Sequence, residues 1–304
     1  MRLDCFLPIL LAFALGPGGH ADNPVFKQVV SEGLTLEGTT VLLPEPSLAD
    51  GLDAERSMAV LRKIAGDDRA AKELLRDSVT APFILKTRDV TAGGSTVRVA
   101  DLWFVVHARI EDIDPDRVLR QADGKPVEAG NMRFENKFLS DRDLSDRKIE
   151  PLPPLDGRTE WYTHLTGRLL DRIKVESTDR AVVTRSAESL VVASRTDQTF
   201  DEDGAYPNRW TTLARKGVEE TFGPPRKYAG GQSYAKITRL AAEPGALLVE
   251  SHFAFVEPLD WFQGNPILRS KFGVIAQEQI RQLRREIAKN PGRGTSAGRS
   301  KVKE

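Results

Sequence analysis

The chain reads as an α+β protein in which a helical hairpin precedes a curved antiparallel sheet and a long C-terminal helix closes it. Three observations carry this reading. Met58, Leu61 and Ala65, and then Ala70, Ala71, Leu74 and Leu75, keep helical spacing on either side of a Gly66-Asp67 break. Between residues 83 and 256 the spacing changes to alternation interrupted by glycine and proline turns. From Asn265 onward Phe272, Ala276, Ile280, Leu283 and Ile287 return every three or four residues, up to a stop at Asn290-Pro291-Gly292.

Residues 1–21 have the order of an export leader: Arg2, an apolar core over 5–15, a Gly16-Pro17-Gly18-Gly19 break and the small-residue tripeptide Gly19-His20-Ala21. An apolar run this short, broken by Pro8, does not cross about 30 Å of hydrocarbon. Cleavage removes Cys5, the chain's one cysteine, which stands too early for a lipid anchor. The exported chain, periplasmic or extracellular, then has no disulfide to form. Charge is balanced at 44 basic and 44 acidic residues, so no net field draws it to nucleic acid. No later stretch is long and apolar enough for a transmembrane segment.

Residues 22–50 hold short strand-like runs ending at Pro44-Glu45-Pro46. The hairpin helices follow, with Gly66 closing the first and Asp67 capping the second. Strands over 83–90 and 96–110 meet at Ala92-Gly93-Gly94-Ser95. In the second of these, Leu102, Phe104, Val106, Ala108 and Ile110 form one apolar face. Asp101, Trp103, Val105, His107 and Arg109 form a mixed one, suited to a surface or a ligand cavity. Asp114-Pro115 starts a short helix to about 121. Residues 140–158, rich in charge and proline, form a long loop and the candidate seam of a 22–290 domain. A meander over 160–200 contains strands at 181–186 and 190–195, and a hairpin over 233–240 and 246–256 turns at Glu243-Pro244-Gly245. Pro266 sets the first turn of a final helix over 266–289, and 291–304 read as a basic, disordered tail.

Chemistry-bearing residues are few. His107 shares a strand face with Asp101, and His252 with Glu250, so pairing of these strands would assemble an imidazole and carboxylate cluster able to bind a metal or to act as acid and base. Asp201 and Asp203 lie in a segment whose spacing approaches a calcium loop, but Thr199 and Trp210 occupy the positions where its outer carboxylates belong. Gly231-Gln232-Ser233-Tyr234-Ala235 approaches a nucleophile elbow, yet a strand pattern follows it where a helix is needed. There is no P-loop and no GxGxxG, and no cofactor is expected. Large aromatics at strand faces and ends, Trp103, Trp161 and Tyr234 foremost, with Tyr162, Trp210, Tyr228, Trp261 and Phe262, offer walls on which an apolar ligand or a glycan could stack.

The order of elements resembles helix-grip lipid-binding folds, in which a bent sheet wraps a long C-terminal helix around an apolar cavity. The resemblance is one of architecture; it is Trp103 and Val105 interleaved with polar residues, and the missing catalytic motif, that point to binding without catalysis. The functional expectation is an exported, non-enzymatic domain for an apolar small molecule or a cell-envelope component. The alternative is a hydrolase using Asp101, His107, Glu250 and His252. An apolar cavity under the final helix favours binding, whereas histidines and carboxylates closed together in a pocket favour chemistry.

Overall fold

The computed structural model describes residues 20–289, apart from 116–119, 121, 122, 130, 202, 203, 217, 218, 263 and 264. The leader-like 1–19, the tail 291–304, Asp203 and most of the helix expected after Pro115 lie outside the described residues. His20, inside the expected leader, is described: its ring meets Ser189 Oγ at 2.5 Å and Asp50 Oδ2 at 3.7 Å.

The N-terminal segment carries a short helix, Pro24–Lys27 (α1), capped by Asn23, and a small hairpin of Leu34–Leu36 (β1) and Thr39–Val41 (β2). The expected helical hairpin follows as Ala54–Ala65 (α2) and Asp68–Leu74 (α3). Asp53 Oδ1 accepts from Arg56 N at 2.8 Å, and Asp67 Oδ1 accepts from Ala70 N at 2.7 Å. Gly66 ends α2 at a φ of +100°, a conformation costly for any side chain.

Two glycines turn Ile84–Ala92 (β3) into Ser95–His107 (β4). Pro126–Ala129 (β5) and Met132–Phe138 (β6) come next, and then Asp141–Asp146 (α4), whose Ser140 and Asp143 form a capping box. The loop expected over 140–158 thus begins with a helical turn, Leu144 packing on Tyr162 and Phe200. Arg158–Leu169 (β7), Ile173–Arg185 (β8) and Ser189–Thr196 (β9) form the meander, and β7 pairs back with β6 across the expected seam. Arg209–Lys216 (β10), Glu219–Phe222 (β11) and Arg226–Lys227 (β12) form an annex on β8. Gly231–Arg239 (β13) and Ala246–Pro258 (β14) precede a turn, Leu259–Phe262 (α5), and the long helix Ile267–Lys289 (α6).

Among the described residues the main sheet has the order β3-β4-β14-β13-β9-β8-β7-β6-β5, antiparallel at every pairing. It curls into a half-barrel with α6 across its inner face, so the chain has a helix-grip architecture, as its order of elements suggests. At 1.5 Å per residue, α6 spans about 35 Å and runs unbroken through Gly273. No described helix is long and apolar enough to cross a membrane.

Both faces of the central strands are buried. On the inner face Leu102, Phe104 and Val106 of β4 and Leu247 and Val249 of β14 pack under Ala276 and Ile280 of α6. On the outer face Trp103 and Val105, with Ala246 and Leu248, pack against Leu61, Ile64, Ala71 and Leu74 of the hairpin. Hydrophobic burial on two sides of one sheet explains why β4 reads as nearly continuous apolar sequence.

Candidate functional site

A cavity of about 190 Å³ lies between the inner face of the sheet and α6. Phe253 and Phe255 of β14 project into this space at i and i+2, and Phe272 of α6 meets them edge-on at centroid distances of 5.5 and 6.0 Å. The opposite wall is Phe134, Leu165, Leu169 and Val175, contributed by β6, β7 and β8. Gly167 makes that wall possible, since a Cβ there would come within 2.9 Å of Val175 and 3.1 Å of Phe134. Trp261 stacks on Tyr228 at 5.6 Å along a third side.

One patch of this wall is polar. Ser177 and Asp179 on β8, Ser194 and Thr196 on β9 and Ser233 on β13 all line the cavity. Sheet register sets Asp179 opposite Thr196, and Ser194 opposite Ser233. Ser177 Oγ and Thr196 Oγ1 donate to Asp179 Oδ1 at 2.9 and 2.7 Å. Asp179 keeps accessible surface but is otherwise enclosed, and this burial raises its carboxyl pKa although the two hydroxyls oppose the shift. Burial likewise drives the Tyr228 hydroxyl well above its ordinary range, with the charges of Asp179 and Glu257 adding to it.

The predicted site residues fall elsewhere. Trp103 and Tyr234, expected to touch ligand, lie on the outer face, where residues 41–50 strap across β13 and β14. Gln232 Nε2 donates to Val41 O at 2.8 Å, Tyr234 Oη to Pro44 O at 2.6 Å and Lys236 Nζ to Leu48 O at 2.7 Å. Glu250, fully buried, accepts from Ser47 N at 2.8 Å, Leu48 N at 2.9 Å and Trp103 Nε1 at 3.0 Å. Glu250 and Trp103 are therefore each other's partners and a fastening for the strap. Lys236 also pairs with Asp50 at 2.7 Å. Burial opposes ionisation of Asp50, yet hydrogen bonds from His20, Lys236 and Ser189 outweigh it and hold the carboxyl far below its usual range.

His252 and Asp101 do meet, Nδ1 to Oδ1 at 2.7 Å, as their register positions require. The same register places His107 opposite Ala246, six residues along, or about 20 Å away at 3.3 Å per residue. His107 instead faces Asp77 at 3.5 Å. His252 is fully buried between Trp103 and Tyr234. The four-residue cluster needed for hydrolysis is thus not assembled.

Trp161 is on the inner face, edge-on to Phe138 at 6.3 Å, but it packs in the core beside the cavity and does not line it. Asp201 is occupied by Lys227 at 2.8 Å and by the Asn208 amide at 2.9 Å. No group of three or more potential metal ligands occurs among the described residues. His164, bonded through Nδ1 to Thr178 Oγ1 at 2.8 Å, is pushed by burial from 6.5 to about 4 and is neutral at neutral pH.

Sequence reasoning missed Asp179 and its hydroxyl neighbours. Their signal is a polar pair spaced i and i+2 on each of two adjoining strands, Ser177 with Asp179 and Ser194 with Thr196. A half-open, largely apolar space with one hydrogen-bonding patch can hold an amphiphile in a fixed orientation. No family model and no curated protein matches the chain. Among solved structures it is similar to the lipid transfer and protein localization domain of human StarD13, at 10% identity and a TM-score of 0.34 over 66% of this chain and 88% of that one. At that level of similarity no property of that domain is carried over.

Proposed function

We propose that this protein is a non-enzymatic binding domain that holds an apolar small molecule in the cavity between its sheet and α6. The observation that supports the reading is the cavity itself. Its walls are aromatic and aliphatic side chains from strands far apart in sequence, and a long helix lines one side of it. Core packing normally leaves few voids larger than a water molecule, so a space of this size is a departure from ordinary folding economy.

Filling the cavity tests the proposal. Leu165→Trp places a larger apolar group toward existing space, so its cost in stability is expected not to exceed the roughly 1–3 kcal/mol of an overpacked core. Titration with a neutral fluorescent apolar probe such as Nile red is expected to show affinity reduced by about tenfold or more, because the occupied volume is gone. Equal binding by parent and variant would place the probe outside the cavity and refute the reading.

The leader-like residues 1–21 support export of the domain, with a cell-envelope component as donor or acceptor of the ligand. N-terminal sequencing of the protein after expression in an exporting host is expected to begin at Asp22. A retained intact leader would count against export.

A further inference from the structure

Resting on the proposed apolar binding, the polar patch of the cavity narrows the ligand class. We propose that the occupant is an apolar molecule carrying a neutral hydroxyl head, such as a long-chain or polycyclic alcohol, seated on Asp179 and the Ser194–Ser233 pair.

Asp179 Oδ1 already takes two hydroxyl hydrogens, from Ser177 and Thr196. Oδ2 accepts no hydrogen bond from the described residues, on a carboxyl that lines the cavity. It is an acceptor waiting for a donor. Thr196 Oγ1 is engaged a second time, accepting from Gly231 N at 2.9 Å, which fixes its hydrogen toward Asp179. Ser194 and Ser233 share one hydrogen bond at 3.1 Å, leaving one hydroxyl hydrogen of the pair for an incoming acceptor. A hydroxyl is both donor and acceptor, and it satisfies both sides of this patch at once.

What the patch lacks is equally informative. No lysine, arginine or histidine lines the cavity among the described residues. Arg98, farther along the inner face, spends its guanidinium on Glu257 and Asp89. A carboxylate or phosphate head would therefore sit beside an acidic side chain with no cation to offset it. A purely apolar molecule would leave Asp179 Oδ2 desolvated and unpaired.

The test compares decanol, decanoate and decane as competitors for a bound fluorescent probe at neutral pH. Decanol is expected to bind about tenfold more tightly than either, the discrimination that one hydrogen bond to a charged or buried group supplies. Asp179→Asn keeps an oxygen for Ser177 and Thr196 but turns a donor into the cavity, so the preference for decanol over decanoate is expected to shrink or invert while decane binding holds. Should that variant fold poorly, Ser233→Ala removes the other half of the patch and is expected to weaken decanol alone. Decanoate binding as tightly as decanol, or head-group preferences that neither variant alters, would overturn this assignment and leave apolar binding standing. Failure of all three competitors, decane included, would overturn both.

Discussion

Glu250→Ala is expected to destabilise the protein by about 3–5 kcal/mol, measured by denaturant unfolding. Glu250 is fully buried and accepts three hydrogen bonds, two from the backbone of the strap and one from Trp103. Truncation leaves the Ser47 and Leu48 amides and the Trp103 indole without their acceptor, in a place where water does not reach easily. Bonds to a charged acceptor contribute about 1.5–3 kcal/mol each, and orphaned donors add their desolvation cost. Against a typical total stability of about 5–15 kcal/mol, one side chain therefore matters greatly. The loss is expected to appear first as faster amide exchange over residues 44–50, since Gln232, Tyr234 and Lys236 fasten the strap's carbonyls and the Asp50 carboxylate but none of its amides. A change below about 1 kcal/mol would show that the strap is held by packing of Leu43 and Leu48 and not by Glu250.

Arg98→Leu should cost a similar amount, about 3–5 kcal/mol, for a different reason. Arg98 forks onto Glu257 through Nε and Nη2 at 2.9 and 2.8 Å and reaches Asp89 through Nη1 at 2.7 Å. Both Arg98 and Glu257 are nearly inaccessible. The hydrogen bond to Glu257 is the leading cause that raises the guanidinium pKa, partly opposed by burial, with Asp89 reinforcing it. Removing the cation strands a buried anion, whereas Arg98→Leu combined with Glu257→Leu removes both charges and is expected to recover most of the loss. Asp89 also holds Arg269 of α6 at 2.9 Å and keeps that partner in the single variant, so the uncompensated charge there is that of Glu257. Additive effects of the two substitutions would mean that the pair is not coupled.

Much of the architecture was legible because local signals and tertiary demands agree. Asp67 and Gly66 mark the hairpin break in sequence and cap it in the structure. Phe272, Ala276 and Ile280 mark the buried stripe of α6, and all three face the sheet or its cavity. The first half of β8 was not legible, although it is continuous from Ile173. Its inner positions include Ser177 and Asp179, polar residues where a core strand should be apolar, so alternation fails where the cavity wall becomes hydrophilic. The site thus hid the strand that carries it. The choice of face was also beyond the sequence. Trp103 and Leu102 lie on opposite sides of a strand buried on both, and only the positions of α2, α3 and α6 decide which side faces the cavity. Histidines misled for a related reason: their strands do pair, but the register that joins His252 to Asp101 carries His107 to the far end.

The proposed function requires an apolar ligand to occupy the inner face beneath α6. Intermolecular nuclear Overhauser effects between decanol and methyl-labelled protein test this most directly. Contacts are expected to the methyls of Leu165, Leu169 and Ile275, which line the cavity. None is expected to Val105 or Leu248, which lie under the hairpin on the outer face. Contacts confined to the outer face, or to no methyl of the inner face, would contradict the account.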